Sequence, residues 1–111
     1  MDIQFRTKKL ERECNEPRLC VKAHGPDRAA RLKRRLDALR AADCLEDLRN
    51  APGRLHELGM NRKGQLSMDL DHPYRLIFTA AAEPAPVKAD GGLDWARVTA
   101  VTITGIEDTH E

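Results

Sequence analysis

"GRLHELGMNRKGQLSMDLDHPYRLIFTA", residues 53–80, is where the sequence changes its periodicity. Leu66, Met68 and Leu70 fall on one side of an alternating run, and Tyr74, Leu76 and Phe78 on one side of the next. A period of two is the signature of half-buried strands, whose successive side chains point to opposite faces. Two turn signals, "GMNRKG" and "DHP", divide the stretch into the strands "GRLHEL", "QLSMDL" and "YRLIFTA". The same parity sets Arg75 on the face opposite Tyr74 and Leu76.

Upstream, the pattern is helical. "MDIQF" reads as a short strand, after which the Thr7 hydroxyl can cap the helix "KKLERECN". Pro17 ends that helix or opens another short piece. Gly25 is a break, and Pro26 suits the first turn of "HGPDRAARLKRRLDALRAAD", where a missing N–H costs nothing. Ala29, Leu32, Leu36 and Leu39 form one apolar stripe on it. "CLEDLRNAPG" adds a helical turn closed by Pro52 and Gly53. Downstream, "EPAPVKADGGLDW" is a loop or lid. "RVTAVTITGIEDTHE" is a closing strand, with Val101 and Ile103 inward and Gly105 able to host a bulge. The expected architecture is α+β: a single domain over 1–111, with an antiparallel-rich sheet and helices packed on one face.

A chain of 111 residues with 33% charged side chains suits one globular domain. The net charge is only +1, yet it is unevenly spread. Residues 1–63 carry 16 Lys and Arg against 10 Asp and Glu, whereas 64–111 carry 3 against 8. The basic first part favours an acidic or phosphate-bearing partner. No apolar run suits a membrane span or a signal peptide, so a cytoplasmic protein without a membrane role is expected. Cys14, Cys20 and Cys44 lack CxxC spacing and read as reduced structural thiols. Phosphate-loop, dinucleotide and zinc-ligand spacings are missing, so neither a cofactor nor a metal is expected. Ser67, the one serine, sits mid-strand and makes no nucleophilic triad.

What remains is a set of groups that a sheet could gather. His56 lies on the first strand of the meander, Arg62 and Lys63 on its turn, Arg75 on the third strand, and Asp108 and His110 at the chain end. Neighbouring strands are about 4.8 Å apart, so such groups can converge on one face. Metal-free cleavage of RNA needs a base for the 2′-hydroxyl, cations around the phosphorus, and an acid for the leaving oxygen. Histidine can be base or acid near neutrality, and arginine grips phosphate with two donors. The plainer alternatives are a surface His56, an Arg75 ion pair with Asp108 or Asp69, a solvated Arg62–Lys63 turn, and Trp95 as core or lid packing.

"RLHEL…NRKGQLSMDLDHPYRLIF" followed by "GGLDW…VT…I…IEDTH" resembles the HigB-type toxins of the RelE/ParE superfamily, from bacterial type II toxin–antitoxin pairs. The resemblance runs nearly end to end and implies an α+β sheet with helices on one side. It implies ribosome-dependent cleavage of mRNA, restrained by a cognate helix-turn-helix antitoxin. Carried over by position, it assigns catalytic roles to His56, Arg75, Asp108 and His110, with Arg62 and Lys63 against RNA. Two positions depart from relatives: Gly59 stands where a lysine is common, and Thr109 where a tyrosine separates the terminal Asp and His. A threonine neither stacks on a base nor serves as an acid as a phenol does. The alternative is therefore a weakened or non-nuclease toxin, such as a ParE-like gyrase poison or a chain that only binds its antitoxin.

Overall fold

A computed structural model describes residues 1–109. Strand β1 (Asp2–Phe5) leads into helices α1 (Lys8–Asn15), α2 (Pro17–His24) and α3 (Pro26–Ala41). Strands β2 (His56–Glu57), β3 (Gln65–Asp69), β4 (Tyr74–Ala80) and β5 (Ala100–Asp108) follow. The five strands form one sheet in the order β1-β5-β4-β3-β2. Only β1 and β5 pair in parallel; the other neighbours are antiparallel. The α+β architecture expected from the periodicities is the one observed.

Local chemistry explains the boundaries. The Thr7 hydroxyl accepts from the Leu10 amide at 3.1 Å and starts α1. Pro17 opens α2 as a separate helix and Pro26 opens α3, each at a first-turn position that needs no amide donor. Between them Gly25, at φ +82°, takes a backbone conformation that other residues resist. The "LEDL" piece at Leu45–Leu48 is a 3-10 turn.

Ala29, Leu32, Leu36 and Leu39 on α3 are buried against Leu66, Met68, Leu76, Phe78, Val101 and Ile103 of the sheet. Each fully buried leucine or phenylalanine contributes about 1.5–3 kcal/mol of apolar transfer. Trp95 joins this core, and its indole N–H donates to Glu57 at 3.0 Å. In β5 the register shifts between Ile103 and Gly105, where Thr104 is the extra residue opposite Ile77 and Phe78. Its hydroxyl donates to the Ile77 carbonyl at 3.1 Å. The bulge thus falls at Thr104, next to the Gly105 expected to host it.

One strand is shorter than its sequence suggests. "GRLHEL" pairs only through His56 and Glu57, because Gly53 and Arg54 both have positive φ, +108° and +51°, which breaks the extended run. The six-residue turn "GMNRKG" contains a 3-10 turn at Met60–Arg62.

Candidate functional site

The face of the sheet away from the helices carries three rows of side chains. The first is Gln65, Thr79 and Thr102; the second His56, Ser67, Ile77 and Gly105; the third Asp69, Arg75 and Glu107. His56 and Arg75 therefore share this face, roughly 12 Å apart at Cα from the strand spacing and rise.

His56 is held on both sides. Its Nδ1 lies 2.9 Å from the Arg54 carbonyl oxygen. A carbonyl only accepts, so Nδ1 is the donor, and in the corresponding neutral tautomer the lone pair lies on Nε2. That Nε2 faces the hydroxyl of buried Ser67 at 3.4 Å.

Three guanidiniums and two carboxylates share this face with it. Asp69 accepts from Arg54 at 3.0 Å and pairs with Arg75 at 3.3 Å. Its backbone is fixed too: its amide donates to the Gly53 carbonyl at 2.7 Å, and Arg35 reaches from α3 to its carbonyl at 2.9 Å. Burial pushes the Arg35 guanidinium below its ordinary pKa. Arg62 donates to Gln65 at 3.1 and 2.7 Å and to both oxygens of Glu107 at 2.9 Å. The bond to Glu107 raises the Arg62 pKa further.

Because Gln65 lies in the first row and Glu107 in the third, the Arg62 side chain spans the second. Ser67 and Ile77 beneath it are 0% exposed, although Ile77 lies outside the helix-side core.

The structure brings His56, Arg62 and Arg75 to one face. The pairing anticipated for Arg75 is made with Asp69. Lys63 is exposed on the turn and ion-pairs with no described residue. Asp108 stands opposite Tyr74, so alternation turns it to the helix side rather than toward Arg75. His110 lies outside the described residues. Sequence reading missed Gln65, Asp69 and Glu107, which strand parity could have found, and Arg54, whose positive φ no pattern announces. Among the described residues no three His, Cys, Asp or Glu side chains form a metal-ligand cluster, and no helix is long and apolar enough to cross a membrane.

Comparison with known proteins fits this frame. The Staphylococcus aureus YoeB dimer superposes with a TM-score of 0.57 at 14% identity, covering 100% of this chain and 98% of that one. The YoeB–YefM complex from the same organism gives 0.56 at 14% identity, with the same coverage. At that identity the likeness shows the fold. No curated protein matches the sequence. The family model described as "RelE-like toxin of type II toxin-antitoxin system HigB" matches residues 3–87, a span that includes His56, Arg62 and Arg75 and ends before β5. The chain belongs to the HigB-like toxin family.

Proposed function

We propose that this toxin is a ribosome-dependent, metal-free mRNA endoribonuclease that inhibits translation in the cytoplasm and is neutralised by a cognate helix-turn-helix antitoxin. The observation that carries the reading is a histidine whose Nδ1 is held by a backbone carbonyl, set on the same sheet face as three guanidiniums. RelE-like toxins are generally endoribonucleases, and an antitoxin partner accords with the YoeB–YefM neighbour.

In the proposed reaction His56 Nε2 takes the proton of the 2′-hydroxyl. The freed oxygen attacks phosphorus, a cyclic 2′,3′-phosphate forms, and the bond to the 5′-oxygen breaks. Arg75 and Arg62 stabilise the charge that develops on the phosphoryl oxygens, and exposed Lys63 meets the strand beyond. The leaving oxygen takes a proton from an acid, the role assigned to His110. Asp108, on the other parity, receives no step.

Inducing the chain in bacteria and mapping mRNA ends tests the reading. Cleavage should appear with the wild type and fall by about 10²- to 10⁴-fold in His56→Ala, the usual contribution of one acid–base group. Intact messages in wild-type cells would sink it.

A second reading has one observation in its favour. The Thr109 hydroxyl donates to the Pro73 carbonyl at 3.2 Å, and so is engaged with its own chain. A toxin acting by protein contact, or a chain reduced to antitoxin binding, would leave messages whole. Induction of a DNA-damage response would then point to gyrase, and unimpaired growth to antitoxin binding alone.

A further inference from the structure

We propose that Glu107 is a gate on the phosphate site: its carboxylate fills the Arg62 guanidinium in the resting chain and gives way to a phosphodiester when RNA enters. This rests on the reading of the outer sheet face as the phosphate-binding face.

Arg62 presents two donors to the two oxygens of Glu107, each at 2.9 Å. That is the geometry with which a guanidinium grips a phosphate. A carboxylate so placed holds the position that a phosphodiester oxygen pair would take. The two carboxylates of this face differ in how firmly they are held. Asp69 shares its charge between Arg54 and Arg75, and its backbone is bonded to Gly53 and Arg35. Glu107 makes its recorded side-chain bonds to Arg62 alone.

The partners are also accessible. The Arg62 and Glu107 side chains are 33% and 40% exposed, so an anion from solvent can reach the pair. An incoming anion can therefore replace one without unfolding the sheet. The 59–64 turn adds to this freedom. Its recorded backbone bonds run within the turn, Arg62 to Gly59 and Lys63 to Met60. Arg62 is its recorded tie to β5, and exchange of Glu107 for phosphate releases that tie. The arm, still bonded to Gln65, is then free to leave the β5 side of the face.

The gate also sets selectivity. An anion must compete with a carboxylate already bound through two hydrogen bonds, which disfavours single carboxylates and favours a strand that offers several phosphates at once.

The test is binding of a fluorescein-labelled, 2′-O-methylated oligoribonucleotide, which cannot be cleaved through its 2′-oxygen, followed by anisotropy across a salt series. Wild type, Glu107→Gln, Arg62→Ala and the double variant are compared, each checked for a cooperative melt. Glu107→Gln should bind several-fold tighter than wild type. Because Arg62 reaches the same phosphate in both, the slope of log K against log salt should not gain a further contact's worth, about 0.7 on a single strand. The gain in affinity should vanish in the double variant. Equal binding by Glu107→Gln and wild type overturns the gate, as does a gain that survives without Arg62, or absence of binding by Glu107→Gln at low salt. The mRNA-end assay is independent. Loss of His56-dependent cleavage with the binding pattern intact would remove the nuclease and leave the gate; the reverse would remove the gate alone.

Discussion

The Arg35 side chain occupies the space that a side chain on Gly53 would need. A methyl group added there would lie 2.7 Å from Nε and 2.9 Å from Cδ. The same Nε donates to the Asp69 carbonyl, so an arginine of the helix layer braces the strand end that carries one of the two site carboxylates.

Gly53→Ala should therefore destabilise the protein by about 1–3 kcal/mol, combining the strain of φ +108° with displacement of Arg35. Urea unfolding measures this directly. An unchanged midpoint would mean that the 53–54 segment re-routes freely.

Asp71 ties the β3–β4 turn to α3. It accepts from Arg28 at 2.9 and 3.1 Å, and the same guanidinium lies 3.4 Å above the Tyr74 ring. The hydrogen bond from Arg28 is the chief cause that holds the Asp71 carboxyl below its ordinary 3.8. A depressed carboxyl stabilises the fold above its unfolded pKa, and that contribution is lost as pH falls through the folded one. Asp71→Asn should cost about 1 kcal/mol at pH 7. Its difference from wild type should shrink as pH drops below 3.8. Melting curves from pH 7 to acid check this, and a pH-independent difference would contradict it.

Cys14 lines a groove between the helices with Cys20, Pro17 and Val21. Burial first, then the Cys20 and Glu13 charges, push its thiol up to about 12. At pH 8 only about one molecule in ten thousand then carries the reactive thiolate. Alkylation of Cys14 by iodoacetamide, followed by peptide mass mapping, should be on the order of a thousandfold slower in the folded chain than in urea. Comparable rates would refute the burial argument.

Residues 8–41, which hold all three helices, carry eleven Lys and Arg against five Asp and Glu, a net charge of +6. An antitoxin that meets this layer with acidic residues should associate more slowly as salt rises, with little change in dissociation. Stopped-flow association at several ionic strengths is the measurement, and a salt-independent on-rate would exclude this layer as the docking surface.

The strands of the meander and the long helix were legible because each repeats its apolar residues at one period. Leu66, Met68, Leu76 and Phe78 mark one sheet face, and Ala29 to Leu39 mark one helix face, without help from distant contacts. The shortening of "GRLHEL" was not legible. Its alternation is intact on paper, while Arg54 takes a positive φ beside Asp69, whose carboxylate accepts from Arg54 and whose carbonyl accepts from Arg35. Parity placed Arg75 correctly on the outer face, and applied to residue 108 it would have separated Asp108 from that group. The Arg62–Glu107 bond joins residues 45 positions apart, a relationship that only the completed register creates.

That register places β5 between β1 and β4. Among the described residues β1 has β5 as its strand neighbour, so it joins the sheet only once residues 100–108 are in place. Without β5 the α3 leucines can still pack on Leu66, Met68, Leu76 and Phe78, but β1 has no edge to pair with. Glu107 lies in the same strand, so the Arg62 pair forms only when β5 has docked on β4.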